Sequence, residues 1–205
     1  MIFWAIYFAA FFASLAMMVR EGLWSNAISL VNILISGLLA FAFYSPLAIY
    51  LDEMLDGQYT YLLDFVCLWA IFTITMFVCR AVTGFASGTR MRFKNPIDPV
   101  GGPLVALIAA WAMAALVMAT LHTAPMPKDA FSGGLVHTDD EVESASSLTA
   151  PDLGWLRFVQ RVTRSDAFGH ASGGGFSAKA FVQIYADHRQ KYEQAKPAWI
   201  RVRRN

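Results

Sequence analysis

Residues 100–121 read VGGPLVALIAAWAMAALVMATL and contain no charged side chain. An α-helix needs about 20 predominantly apolar residues to cross the hydrocarbon core of a bilayer. A helix on the surface of a soluble protein would instead show a polar stripe along one side. The stretch therefore predicts a membrane span. Three further apolar runs of this kind precede it, at about residues 1–19, 23–45 and 61–80.

The composition of the whole chain agrees with a membrane protein. Of its 205 residues, 57% are hydrophobic and 15% are charged, whereas an average soluble chain has about 25% charged residues. The net charge is +1, which gives no electrostatic reason to expect nucleic-acid binding. We therefore predict an all-α integral membrane protein with four transmembrane helices, arranged as two hairpins and followed by a polar, partly helical C-terminal tail.

Changes in composition divide the chain into three regions. Residues 1–122 hold the apolar runs and are predicted to form the four-helix transmembrane domain, with Pro46 ending or kinking the second helix. Residues 123–150 begin with prolines that stop the fourth helix and continue as a polar, acidic stretch, which favours a flexible linker. Residues 151–205 are predicted to form a tail with two amphipathic helices, because apolar residues recur there at helical spacing.

Basic residues are concentrated in the loop of residues 80–99, which contains Arg80, Arg90, Arg92 and Lys94. The preceding loop, at residues 52–56, contains acidic residues and neither Lys nor Arg. Loops rich in Lys and Arg stay on the cytoplasmic side of a membrane. The loop of residues 80–99 is therefore predicted to be cytoplasmic, and both termini are predicted to lie outside.

The second apolar run carries a stripe of small polar residues, which are unfavourable inside a bilayer and mark candidate functional positions. They are Asn26, Ser29, Asn32 and Ser36. Their spacing is close to that of one helix face. Such a stripe either joins helices through hydrogen bonds or lines a path for a transported species, and the sequence leaves both interpretations open.

The first tail helix is predicted to begin at Pro151 and to end near Arg164, and it combines aromatic with basic residues. The candidate contact residues are Trp155, Arg157, Arg161 and Arg164. This pattern is typical of a helix that lies on anionic lipid. It fits equally a helix that docks on a partner or on the protein's own membrane domain.

No pattern of catalytic or cofactor-binding residues is present in the sequence. Asp64, near the start of the third run, is predicted either to face water at the membrane interface or to interact with the positive N-terminal end of its helix. The four histidines show no metal-like spacing with one another or with Cys; they are His122, His137, His170 and His188. No phosphate-binding loop or nucleophile elbow occurs. We therefore expect no catalytic, cofactor or metal site and a protein that is not an enzyme.

Two short segments resemble the colicin V production protein (CvpA) family. Residues 21–31 read EGLWSNAISLV; Gly22 and the Leu-Ser-Leu-like run are similar to that family's hairpin segment, whereas its Arg-Glu pair is Ser-Asn here. Residues 98–102 read DPVGG, where the family usually has Asp-Arg-x-x-Gly at the start of its last helix, so Pro99 replaces the arginine. The resemblance covers roughly residues 1–125.

The resemblance implies a small four-helix protein of the bacterial inner membrane, associated with colicin V production or secretion and with envelope homeostasis. It brings no catalytic residues. Three functions are compatible with the sequence: a non-enzymatic membrane factor, a channel- or transporter-like oligomer, and a structural subunit of a larger membrane complex. The expected partners are the lipid bilayer and either further copies of the chain or other membrane proteins.

Overall fold

The fold is entirely helical in the part of the chain that the computed structural model describes, namely residues 2–57, 59–87, 97–127, 130–164 and 175–194. Its helices are α1 (Ile2–Met18), α2 (Leu23–Met54), α3 (Thr60–Ala86), α4 (Ile97–Thr120), α5 (Asp139–Ser144), α6 (Pro151–Thr163) and α7 (Ala178–Gln194). Two short 3-10 turns, Leu121–Thr123 and Ala130–Gly133, follow α4. The prediction of an all-helical protein is confirmed.

The helices of the first half have the length and apolar character of membrane spans. Three segments are long and apolar enough to cross a bilayer, namely Leu23–Met54, Leu62–Ala86 and Ile97–Thr123. Helix α1 is apolar but has only 17 residues, which is near the lower limit for a span. On α3, Phe77 and Phe85 are strongly exposed, as expected where a helix surface meets lipid chains. The chain is therefore a helical membrane protein.

Helices α1 to α4 run alternately in opposite directions, so that their ends meet in two groups. At the first group, which we call end A, α2 and α4 both begin, and the backbone N–H of Leu23 donates to Asp98 Oδ1 at 2.8 Å. At the opposite end of the bundle, which we call end B, Phe3 of α1 packs against Met118 near the end of α4. Helices α2 and α4 are therefore parallel, and α1 is antiparallel to both.

Of the two outcomes predicted for Pro46, an end or a kink of the second helix, the first is wrong, because α2 continues to Met54. Proline removes one helical hydrogen bond, yet in membrane helices the packing of neighbouring helices compensates for this loss. Here Ala48, two residues after the proline, is fully buried in the core. Because α2 continues, Thr60 Oγ1 at the start of α3 donates to Asp52 Oδ1 at 2.6 Å, which joins α2 to α3 at end B.

Helix α6 folds back onto the bundle. It begins at end B, where Asp152 contacts His122, and runs along α4 towards end A. In the groove between α2 and α4 its Trp155 ring lies on Gly37, so that a Cβ built at this glycine would be 2.4 Å from the ring and 3.3 Å from Leu116. The indole ring can therefore pack against α2 only because residue 37 has no side chain.

The segment predicted as an acidic linker contains helical structure and contributes to the core. Helix α5 begins with a capping box, in which Thr138 and Glu141 each accept a hydrogen bond from the other's backbone N–H. Leu135 and Val142 are buried. Of the basic loop, residues 88–96 lie outside the described part of the chain.

Candidate functional site

The two segments that resemble the CvpA family meet at end A. Asn26 is fully buried, and its Nδ2 donates to the main-chain oxygen of Gly102 at 2.9 Å. A Cβ built at Gly102 would lie 3.3 Å from the backbone nitrogen of Leu23, and one at Gly22 would lie 3.1 Å from Asp98 Oδ1. Side chains at either glycine would press on the opposite segment. These residues therefore let α2 and α4 begin in direct contact.

The rest of the polar stripe on α2 faces α3 or lies at its edge. Asn32 is almost fully buried, and its Nδ2 donates to Thr83 Oγ1 at 3.1 Å. Ser36 is fully buried, and its hydroxyl lies 3.9 Å from the sulfur of Met76. Ser29 is half-buried on the same helix. The stripe thus supplies polar contacts between helices at three of its four positions.

A cavity of about 390 Å³ lies between α2, α4 and α6. Trp111 of α4 and the two arginines Arg157 and Arg161 of α6 are among its lining residues. Arg157 is tied back to the segment that precedes α6, because its guanidinium donates to the main-chain oxygens of Glu143, at 3.3 Å, and Ala145. The cavity therefore has apolar walls on the bundle side and cationic groups on the tail side.

The predicted contact residues of α6 have different environments. Trp155 is only 3% exposed and belongs to the same core as Phe41 of α2, so this residue docks the tail on the protein's own membrane domain. Arg161 and Arg164 are exposed. Contact of these arginines with lipid or with a partner stays a prediction.

A cluster of two histidines and one carboxylate lies at end B, where α4 ends and α6 begins. Asp152 Oδ2 is 2.8 Å from His122 Nε2 and 2.7 Å from His137 Nε2. Asp152 and His122 are fully buried, and the His137 side chain is 12% exposed. An ionised carboxylate can only accept hydrogen bonds, so both imidazoles donate through Nε2. The fold has brought together residues from three separate segments.

The electrostatics of this cluster keep the carboxylate charged. Burial alone raises the pKa of Asp152, but the hydrogen bonds from His122 and His137 outweigh burial and hold its pKa well below the usual range. Asp152 Oδ1 and His122 Nδ1 are buried without a hydrogen-bond partner in the described part of the chain. Buried Arg189 donates to the main-chain oxygens of His122, at 3.4 Å, and Leu135, at 3.2 Å. Burial lowers the pKa of this arginine, yet a guanidinium stays charged.

Asp64 does not face water, so the first of its two predicted settings is wrong. It is 2% exposed, and the hydroxyl of Tyr185 donates to Asp64 Oδ2 at 3.0 Å. The hydroxyl oxygens of Tyr185 and Tyr44 are 3.3 Å apart. Burial, together with the neighbouring Tyr44 and Asp64, raises the pKa of Tyr185, so the hydroxyl keeps the proton that it donates. Tyr185 of α7 therefore reaches the start of α3 and helps to bury this side chain, a contact between regions far apart in the chain.

A family model described as colicin V production protein matches residues 2–144. The chain belongs to this family. No curated protein and no solved structure matches it. The match confirms the resemblance to the CvpA family and extends it beyond residue 125, to include the segment with His137 and α5. This extension agrees with the packing, because Leu135 shares a core with Phe3 and Met118 of the bundle.

The end B cluster of His122, His137 and Asp152 lies partly outside the residues that the CvpA family model matches, since Asp152 follows residue 144. Sequence reasoning found none of its members. The one local signal was Asp152 in the first helical turn after Pro151, and an acidic residue there is ordinarily explained by the helix dipole alone. The histidines carried no signal, because their partners are distant in the sequence.

Proposed function

We propose that this CvpA-family protein is a non-enzymatic membrane factor that serves colicin V production or secretion and envelope homeostasis. Its four-helix bundle provides the membrane scaffold, and the C-terminal helices α6 and α7 form an interaction arm on that scaffold. Family membership supports the biological setting. The proposal that the protein is non-enzymatic is based on the sequence, in which we find no known catalytic motif.

One observation favours a scaffold over a conducting path. The polar side chains of α2 that best suit a path, Asn26, Asn32 and Ser36, are all buried against α3 or α4. Hydrogen bonds between membrane helices stabilise packing by about 0.6 kcal/mol each on average. A residue that makes such a contact is not free to solvate a passing ion or solute. The stripe therefore supports assembly of the bundle.

The proposal includes a location and an orientation. We place the protein in the bacterial inner membrane with four spans, α1 included. The loop of residues 80–99 is in the cytoplasm, and both termini are outside. The alternating helix directions support this, because Arg20 and the end of α3 with Arg80 lie at end A, whereas the starts of α1 and α6 lie at end B. A periplasmic reporter enzyme fused after Asn205 is expected to be active, and an inactive fusion would reverse the orientation.

The central experiment compares colicin V secretion and envelope integrity in a deletion strain that carries either the wild-type gene or a variant. The combined substitution Asn32→Ala and Ser36→Leu is expected to reduce the amount of protein in the membrane, and the secretion defect should follow that reduction. Val31→Leu is the matched control, because this α2 residue is half exposed and outside the stripe. Full abundance of the stripe variant together with lost solute flux in vesicles would favour a channel instead.

We also propose that the protein works in an assembly, either with copies of itself or with other membrane proteins. The exposed apolar face of α3 and the exposed arginines of α6 leave surface for such contacts. The native mass of the gently solubilised protein tests this. A homo-oligomer supports self-assembly, co-purification in a fixed ratio supports a subunit role, and a monomer under all conditions would contradict both. Deletion of residues 132–205 should abolish function if the arm makes the contact.

A further inference from the structure

The three side chains at end B are arranged as ligands of a metal ion would be. His122, His137 and Asp152 each offer one donor atom, and these atoms all lie within 4.8 Å of one another. We propose that this cluster binds one divalent transition-metal ion, with Zn²⁺ as its representative. The proposed ion site is independent of the role in colicin V production.

The donor set selects the class of ion. Two imidazoles and one carboxylate are the protein ligands of many zinc sites, and the same combination holds iron in non-haem oxygenases. Magnesium and calcium prefer all-oxygen sites, and imidazole nitrogens are poor ligands for them. The site therefore fits Zn²⁺ and its first-row neighbours better than the alkaline-earth ions.

A buried orphan atom also points to a ligand. Asp152 is fully buried, and its Oδ1 has no hydrogen-bond partner among the residues that the structure describes. Buried polar atoms without a partner are unusual in native structures. An ion held by both carboxylate oxygens would satisfy Oδ1. Each imidazole would bind the ion through Nε2 and carry its proton on Nδ1 instead.

The fold supports the ligands from behind. Arg189 of α7 donates to the main-chain oxygens of His122 and of Leu135, which lies two residues before His137. It therefore holds the backbone at His122 and two residues before His137 without occupying a ring nitrogen of either histidine, and we consider it a positioning residue. Asp152 is held by the first turn of α6. A bound ion would connect the end of α4, the segment before α5 and the start of α6, and so lock the interaction arm onto the bundle.

The test uses the full chain in detergent or nanodiscs after treatment with EDTA. Isothermal titration with ZnCl₂ is expected to show one ion per chain, and X-ray absorption of the zinc-loaded protein should show two imidazoles and carboxylate oxygen around the metal. His137→Gln and Asp152→Asn are each expected to weaken binding by more than about 100-fold, beyond the 10- to 100-fold effect of residues that only support ligands. Asp187→Asn and His188→Gln serve as matched controls on α7 and should leave binding unchanged.

The wild-type protein alone can refute the proposal. No stoichiometric binding of either Zn²⁺ or Co²⁺ would overturn it, as would a coordination sphere without imidazole. Unchanged affinity in folded His137→Gln protein would do the same. This variant is the safest one, because the His137 side chain is the least buried of the three. Arg189→Lys should weaken binding without changing the ligand set seen by X-ray absorption. The two proposals have separate tests. A protein that binds no zinc could still be required for colicin V secretion, and a protein that binds zinc could be dispensable for secretion.

Discussion

Replacing Gly37 with alanine should loosen the docking of α6 on the bundle. The added Cβ would lie 2.4 Å from Trp155 Cζ2 and 2.8 Å from Cη2, whereas carbon atoms in van der Waals contact are about 3.5–4.0 Å apart. The indole ring or the whole helix must therefore move by about 1 Å. Overpacking of this kind typically destabilises by about 1–3 kcal/mol.

The matched control is Gly84→Ala, because nothing lies within 4 Å of a Cβ built at Gly84. Both glycines are inside helices, so both variants gain helix propensity, by up to about 1 kcal/mol, and the comparison separates the clash from this gain. The difference between the two variants, about 1–3 kcal/mol, corresponds to a change of about 5- to 150-fold in the undocking equilibrium.

Limited proteolysis with trypsin measures this equilibrium, because cleavage after Arg157 or Arg161 requires α6 to open. The cleavage rate follows the population of the open form when closing is faster than cleavage. We expect cleavage of Gly37→Ala protein to be faster than that of Gly84→Ala protein by this factor. The second substitution Trp155→Phe, which removes the clashing part of the indole, should cancel most of the effect. Equal rates for both alanine variants would refute the docked position of Trp155.

Three further predictions concern buried polar groups. A double-mutant cycle of Asn32→Ala and Thr83→Ala should give a coupling energy of about 0.6 kcal/mol in thermal unfolding, and additive effects would mean that the two side chains do not bond. Tyr185→Phe should destabilise the protein by about 1–3 kcal/mol, because it removes the hydroxyl that donates to the buried Asp64 side chain; Tyr50→Phe is the exposed control, and equal melting temperatures for the two variants would contradict the contact. EDTA should lower the melting temperature of protein saturated with Zn²⁺, by an amount equivalent to about 2.7 kcal/mol at 100 times Kd. It should not change that of Asp152→Asn protein, and an equal shift in both would place the ion elsewhere.

The bundle was largely predictable from the sequence because its signals are local. The length and composition of each apolar run predict a membrane span without reference to the rest of the chain. A loop as short as residues 19–22, between α1 and α2, requires the helices on either side to be antiparallel. The continuation of α2 through Pro46 was not predictable, since it depends on the packing of the residues that follow the proline, including Ala48, within the core.

The sites at end B escaped prediction because their partners are distant in the chain. Asp64 looked like an interfacial carboxylate, and its partner Tyr185 comes from a helix 121 positions later. His122 and Asp152 are 30 positions apart, so no spacing rule for metal ligands applies to them. Local sequence patterns indicate that α6 and α7 are amphipathic. They do not indicate which surface of the bundle each helix packs against.

The end B cluster has a composite origin within the chain. His122 and His137 belong to the stretch that the colicin V production family model matches, whereas Asp152 follows the last matched residue, 144. A chimera that keeps residues 1–144 and takes the tail of another family member would therefore keep both histidines. Its carboxylate would have to come from the new tail. Tails that place a carboxylate at the start of their first helix would supply the third member of the cluster, and tails that lack it would leave the two histidines without a carboxylate between them.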